Sequence, residues 1–440
     1  MMWWMCALAW AAPEVERGTP RFEPSAEIEL SLVRAIEIAL EQNPEVDTEV
    51  FAEQLAAIET RRAKLDRFSL TVDAASDWGA GVVKAPDQDA VATDAFSYSL
   101  ETRAGWTLFS GGAIQNSIRS AEIGERIAAL DRQQVERELI RAVYLAYWNI
   151  QGLEAEIAAA RESLDSTDEA LKIIIAKEQA GLAATLDVNR STVDLLSGQG
   201  ELISLEAELY GAEQDLLQLL HVQPTGVRLT DSIEREDAPS IADAQAWVDR
   251  AKDSRPDFAG WRERRKQAEV ARKLAISGYF PTVGLQAYAG MEAESPLIAD
   301  GDRELRPTIS AGGGLYFSWN AFDWLRTRDA VESARIREKQ VDATLASQEL
   351  ALETDVRQAL ETVRSLRERS ELVEKRIELA RDNLKIVRDL YAQGSASLLE
   401  LFDAQAAFRS ASSQRAAFQV SLVNAEYELL WTVGERFVQN

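Results

Sequence analysis

Proline is absent from residues 87–223 and again from 308–440. Two uninterrupted stretches of that length leave long helices as the economical solution, because proline is the residue that most reliably ends one. The first reads as helix from Ala113 to His221 and the second from Trp324 to Gly434. Each has one interruption, at residues 180–187 (AGLAATLD) and 393–400 (QGSASLLE). The repeated object is a helical hairpin with a glycine, Gly181 or Gly394, at its tip. At about 1.5 Å per residue, 113–180 is a rod of roughly 100 Å and its return arm, 184–221, only about 57 Å. The helix before the first strand, 44–67, adds roughly 36 Å, so the two short helices end to end match the long one. The second half repeats this: about 100 Å for 324–393, 57 Å for 397–434 and 35 Å for 256–278.

Between these helices the apolar period changes from helical to two. Phe68, Leu70, Val72, Ala74 and Trp78 alternate with Ser69, Thr71, Asp73 and Asp77. Phe96, Tyr98, Leu100, Ala104, Trp106 and Leu108 alternate with Ser97, Ser99, Glu101, Arg103 and Thr107. The second half carries the same pair, with Val283, Leu285, Ala287 and Ala289 on one run and Ile309, Ala311, Leu315, Phe317 and Trp319 on the other. Strands are expected at about 68–82, 95–109, 279–290 and 306–320, long enough to cross a bilayer when tilted. Four strands of a soluble sandwich with one wet face would give the same alternation. Trp106, Phe317 and Trp319 at the strand ends favour the membrane, where aromatic girdles mark the interfaces. An open four-stranded sheet in lipid leaves two unpaired edges, which a bilayer does not tolerate, so several chains must associate. Two would give eight strands and a filled interior; three would give twelve, which suits a pore above long rods.

The duplication is visible residue by residue. With an offset of 212, Pro44 meets Pro256, Ala56 meets Ala268 and Phe68 meets Phe280. With 213, Trp106 meets Trp319, Phe109 meets Phe322, Ala121 meets Ala334 and Gly181 meets Gly394. The expected organisation is a signal peptide at 1–11, a linker at 12–28, a first repeat at 29–223, an equatorial insert at 224–255 with a helix near Trp247, and a second repeat at 256–440. Ile28 to Gln42 reads as a short amphipathic helix. Asn43, Ser110 and Asp323 are expected N-caps, with Pro44 at the first helical position.

Composition excludes several function classes. The formal charge of -25 is wrong for a nucleic-acid partner. One cysteine and one histidine leave no zinc set, no cysteine–histidine nucleophile pair and no internal disulfide. No catalytic, cofactor-binding or metal-binding residues are expected, since the remaining carboxylates form no pocket-like constellation. His221 reads as a helix-end residue. Residues 3–10 are apolar and end in a small-x-small pattern, but no basic residue precedes Arg17. A start codon placed too far downstream would account for that. Cys6 is either removed with the signal or, against the Trp3-Trp4-Met5 that precedes it, lipidated.

Taken together, residues 32–36 (LVRAI) running to Asn43-Pro44, the 106–112 turn (WTLFSGG) and both tips resemble the TolC-type outer-membrane efflux channels, over nearly the whole chain. The resemblance implies an α+β membrane protein: long antiparallel helical hairpins forming a coiled-coil tunnel, with four transmembrane strands per chain completing a twelve-stranded barrel in a homotrimer. It implies an outer-membrane duct of a Gram-negative bacterium with most of its helical mass in the periplasm. Its partners would be a periplasmic adaptor (membrane fusion) protein and, through it, an inner-membrane pump of a tripartite efflux or type I secretion system. Gly181, Leu182, Thr185, Asp187, Gly394, Ser395 and Leu398 then lie where such channels meet the adaptor. Tyr391, Glu400 and Asp403 occupy the positions of the family's periplasmic gate, six carboxylates per trimer whose crowding would raise some pKa values and attract cations. Without the resemblance they are ordinary acidic residues on a solvated helix face. The gate arginine of the family is replaced by Ala396. The competing reading is a non-transporting coiled-coil scaffold of the periplasm or cell surface.

Overall fold

The computed structural model describes residues 28–83, 91–223, 226–231, 244–296 and 306–435. The expected signal peptide, nearly all of the linker, and Cys6 fall outside these residues. The order is β1 (Ile28–Leu30), α1 (Leu32–Gln42), α2 (Pro44–Leu65), β2 (Phe68–Val83), β3 (Val91–Phe109), α3 (Ala113–Gln179), α4 (Thr185–Leu219), β4 (Val227–Leu229), α5 (Ala244–Ser254), α6 (Pro256–Ser277), β5 (Thr282–Pro296), β6 (Arg306–Ser318), α7 (Arg326–Ala392) and α8 (Leu398–Val433). Helices in corresponding places match in length: 22 residues for α2 and α6, 67 for α3 and α7, and 35 against 36 for α4 and α8. α1 and α5 are both 11 residues long and begin 212 positions apart, so the duplication takes in a helix on each side that the sequence pattern had not paired.

Several stretches depart from the sequence reading, β3 starting at Val91 and β5 running on to Pro296 among them. Ile28–Leu30 is a strand, paired in parallel with Val227–Leu229, and α1 starts only after Ser31, whose hydroxyl accepts the Arg34 N–H. β5 starts at Thr282 because the N–H groups of Gly278, Tyr279 and Phe280 close i−3 turns onto Ala275, Ile276 and Ser277, and Pro281 follows with no N–H to give. β6 stops at Ser318.

The chain divides into two compact units, each drawn from three segments. One comprises 44–139, 237–369 and 424–440. It holds a four-stranded antiparallel sheet in the order β2-β3-β5-β6. Register puts Val72, Thr102, Ala289 and Ala311 in one row and Phe68, Trp106, Leu285 and Leu315 in another, all on one face. The intervening rows, such as Thr71, Arg103, Tyr288 and Gly312, make a polar face. There the Tyr288 and Tyr316 side chains cover Gly312 and Gly284, where an added Cβ would meet them at 2.8 and 2.5 Å. Ion pairs give the helix order of this unit: Arg132–Glu53 (2.8 Å) joins α3 to α2, Arg264–Asp131 (2.7 Å) joins α6 to α3, and Arg265–Asp342 (2.7 Å) joins α6 to α7. A core around Val248, Phe258, Val356, Val363 and Leu429 holds α5, α6, α7 and α8 together.

The other unit comprises 1–43, 140–236 and 370–423. The β1–β4 pair is tied to α3 through Tyr147, whose hydroxyl lies 3.1 Å from both the Leu30 carbonyl and Asp231 Oδ2. Asp231 in turn accepts the Leu32 N–H at 2.6 Å. Burial pushes the Tyr147 hydroxyl up to about 12. The side-chain amide of Asn43 donates to the Leu219 carbonyl at 3.2 Å, joining the end of α1 to the end of α4.

All four long-helix termini end the same way. Gly181, His221, Gly394 and Gly434 are left-handed, with φ of 71°, 55°, 79° and 89°. The N–H beyond each returns to the carbonyl five residues back (Leu182 to Lys177, Val222 to Leu217, Ser395 to Leu390, Glu435 to Leu430). His221 is thus a helix-end residue in a conformation its counterpart fills with glycine. At the β6–α7 turn, Trp324 and Leu325 are also left-handed, with φ of 56° and 67°, at a cost of about 1–2 kcal/mol each.

Candidate functional site

The two hairpin tips belong to the same unit. Their helices pack through a seam with three-four spacing: Ile377, Ala380, Leu384, Val387 and Tyr391 on α7, and Leu401, Ala404, Phe408 and Ala411 on α8, with Ala170 and Ile174 from α3. Spacing of three and four keeps one stripe facing a neighbouring helix, which is why these long helices pair rather than wander. On the outer side of the seam Arg381 pairs with Glu162 at 3.1 Å and, one heptad on, Arg388 pairs with Glu169 at 2.5 Å. Arg409 on α8 reaches Asp194 of α4 at 3.1 Å and Ser163 of α3 at 3.3 Å.

The first tip turns on Gly181 and begins α4 at Thr185. Asp187 accepts the Ala184 N–H at 3.1 Å, and the Thr185 hydroxyl donates to Glu178 at 3.0 Å. The second tip turns on Gly394 and begins α8 after Ser397. Here the cap is reciprocal: the Ser397 N–H and hydroxyl both donate to Glu400 Oε2, at 2.6 and 2.9 Å, and the Glu400 N–H returns to the Ser397 hydroxyl at 3.3 Å. Added Cβ atoms at Gly181 and Gly394 would meet nothing, so glycine is needed there for its backbone and not for space.

The residues singled out from sequence take distinct positions. Tyr391 is 6% exposed, its ring in the apolar seam. Burial, and next the Asp187 carboxylate, push its hydroxyl above the ordinary tyrosine range. The Lys177 ammonium lies 4.1 Å from the ring centroid and donates to the Tyr391 carbonyl. Glu400 is exposed, and the Ser397 N–H and hydroxyl hold its carboxyl below the usual range. That shift is opposite in sign to the one crowded carboxylates would produce. Asp403 is exposed. Leu398 and Ala396 lean against the seam, while Leu182, Leu186 and Leu399 are the exposed leucines, at 78%, 56% and 68%. Sequence reasoning passed over Leu186, Leu399 and Lys177. The two leucines are counterparts at an offset of 213, a signal that was available. Lys177 stands 214 residues before its partner, and nothing local marks it.

The apolar face of the sheet is bare. Leu70, Val72, Ile309, Leu315 and Phe317 are each more than 60% exposed. Trp106 is stacked on Phe68 with ring centroids 5.9 Å apart, and the Trp319 Nε1–H donates to the Tyr279 carbonyl at 3.2 Å. Both keep a broad exposed surface, as does Phe317. No helix among the described residues is long and apolar enough to cross a membrane. No cluster of histidine, cysteine or carboxylate side chains among them can hold a metal.

Residues 35–221 and 247–435 each match the family model for outer membrane efflux proteins. Among curated proteins the chain is 23% identical, over 79% of its length and 71% of the relative's, to the pyoverdine export outer membrane protein OpmQ of Pseudomonas aeruginosa. The outer-membrane channel OprN superposes with a TM-score of 0.76 at 23% identity, covering 92% of this chain and 89% of that one. The transmembrane channel protein CusC superposes at 0.78 with 18% identity, covering 93% of each. These likenesses fix the fold as that of outer-membrane channels.

Proposed function

The chain belongs to the outer membrane efflux protein family, and from that premise we propose that three copies form a passive export duct in the outer membrane of a Gram-negative bacterium. Their sheets close one twelve-stranded barrel, and their helical hairpins form a periplasmic tunnel.

The observation that carries this reading is a set of unsatisfied edges that match in chain order. The sheet ends on β2 at one side and β6 at the other. In the same unit the helices run from α2 through α3 and α6 to α7. α2 exposes Phe51, Leu55 and Ile58 at helical spacing, and α7 exposes Ile336 and Leu350. In the tip unit α7 carries a second apolar stripe, Leu372, Leu379 and Ile386, seven residues apart and 57–69% exposed. α4 carries Val193, Leu196, Ile203 and Tyr210, also exposed. A heptad stripe that no described segment of its own chain covers is made for another helix. Pairing β2 with β6, α2 with α7 and α4 with α7 of the next copy is a heterologous contact that closes a ring. A closed barrel removes the strand edges, which lipid requires. The bare apolar face then meets lipid, with Trp106, Phe317 and Trp319 as interface aromatics, and the polar face lines water.

Transport in this account needs no bond-making step. Solute enters through the tips from a periplasmic adaptor loaded by an inner-membrane pump and leaves through the barrel. Gly181, Leu182, Thr185, Asp187, Gly394, Ser395 and Leu398 shape the docking surface, and the exposed Leu186 and Leu399 join them. Tyr391, Glu400 and Asp403 form the gate, with Lys177 supplying the cation that Ala396 does not. A scaffold without transport would have no use for a sheet with one bare apolar and one polar face. Light scattering on detergent-solubilised protein tests the assembly: the mass of three chains is expected, and a monodisperse monomer contradicts it.

A further inference from the structure

The repeat places Trp324 and Leu325 where the first half has Gly111 and Gly112, at the offset of 213 that also relates Trp106 to Trp319. The backbone is the same in both halves: φ is 62° and 89° at the glycines, 56° and 67° at Trp324 and Leu325. At the first site glycine is doubly required. Beyond the positive φ, a Cβ on Gly111 would lie 2.5 Å from Phe280 Cβ and 2.9 Å from the Ser277 carbonyl oxygen. Phe280 and Ser277 sit in the turn between α6 and β5. Position 111 of the first repeat therefore presses against the helix–strand turn of the second.

Carried forward one repeat, position 324 faces beyond the last strand of the chain. The described residues of its own chain leave it open: Trp324 is 78% exposed, Leu325 56% and Phe322 70%, with the Phe322 and Trp324 rings 5.1 Å apart. The first-repeat counterparts of Ser277 and Phe280 are Leu65 and Phe68, in the turn between α2 and β2, and they too are bare, at 58% and 55%. Two consecutive non-glycine residues persist in a strained conformation only where something outside them fixes it.

We propose that Trp324 is a wedge between subunits, seated on the Leu65–Phe68 turn of the adjacent copy. The proposal rests on the ring closure described above. Around such a ring the junctions alternate. Within a chain the turn is sealed tightly by glycine under Phe280. Between chains the indole fills a wider junction, because a side chain at 324 cannot fit a packing as close as that at 111, where an added Cβ would lie 2.5 Å from Phe280.

The test uses the full-length chain in membranes, with Cys6→Ser as background. Phe68→Cys combined with Trp324→Cys should give covalent dimers and trimers on mild oxidation, and neither single variant should. Trp324→Gly keeps the left-handed turn without strain, so the fold should hold by circular dichroism while the assembly dissociates in detergent at least about tenfold faster. A trimeric mass with no cross-link, and with Trp324→Gly dissociating at the parent rate, overturns the wedge and leaves the ring standing. A monomeric mass for the parent protein overturns both.

Discussion

The ammonium of Lys177 lies 4.1 Å from the centre of the Tyr391 ring and donates to the Tyr391 carbonyl, so the last turn of α3 is tied to the last turn of α7. A cation–π contact that is partly buried contributes about 0.5–2 kcal/mol. Lys177→Met should therefore raise the open population of the tips by roughly 2- to 30-fold, read as basal conductance. Lys177→Arg keeps the cation over the ring and should stay near the parent. Equal conductance for the Met variant and the parent would remove the latch.

Glu400 caps α8 as a carboxylate held below its ordinary pKa by Ser397. Its contribution is complete above the unfolded value and is lost as pH falls through the lower folded one. Protection of the Ser397 amide, relative to its intrinsic exchange rate, should fall on acidification below about pH 4.3. Glu400→Gln keeps the cap pattern without a titrating group, so this loss of protection should vanish. An acid response that survives in Glu400→Gln would assign it elsewhere.

Tyr147 is fully buried and holds Leu30 and Asp231 around one hydroxyl. Tyr147→Phe leaves a buried carbonyl and a carboxylate short of a donor, at about 1–3 kcal/mol. The loss should appear as a lower melting temperature and as faster exchange at the Ile28 amide, which donates to Gly226 across the β1–β4 end. An unchanged melt would show that the pair is held by packing alone.

His221 and Gly434 end α4 and α8 in the same left-handed turn. His221→Gly should stabilise the protein by about 1 kcal/mol. Gly434→Ala should destabilise it by more, since its Cβ would also lie 3.0 Å from Ser254 Cβ. Thermal unfolding of the two variants checks the opposite signs.

Much of this was legible in the sequence because the strongest signals were long. Missing proline, a change of period at Phe68 and a residue-by-residue offset define the hairpins and the strand regions without any tertiary information. Short and distant features were not legible. Ile28–Leu30 looks like the start of an amphipathic helix, and only pairing with residues 199 positions away makes it a strand. The helix near Trp247 was legible, but its kinship with α1 was hidden because few residues of the two match. At the tips the sequence located the turns, but it could not show that Tyr391 faces inward, that Glu400 is engaged in a cap, or that the nearby cation comes from α3. The strain at Trp324 and Leu325 is invisible in a residue list, although the aligned Gly111-Gly112 pair hints at it.

The central claim is a gated, water-filled duct, and conductance of the purified protein in a planar lipid bilayer tests it most directly. Discrete, cation-selective openings are expected, and Glu400→Gln with Asp403→Asn should weaken the cation preference and change the opening frequency. Absence of any conductance, from protein that stays monomeric and soluble without detergent, would contradict the account.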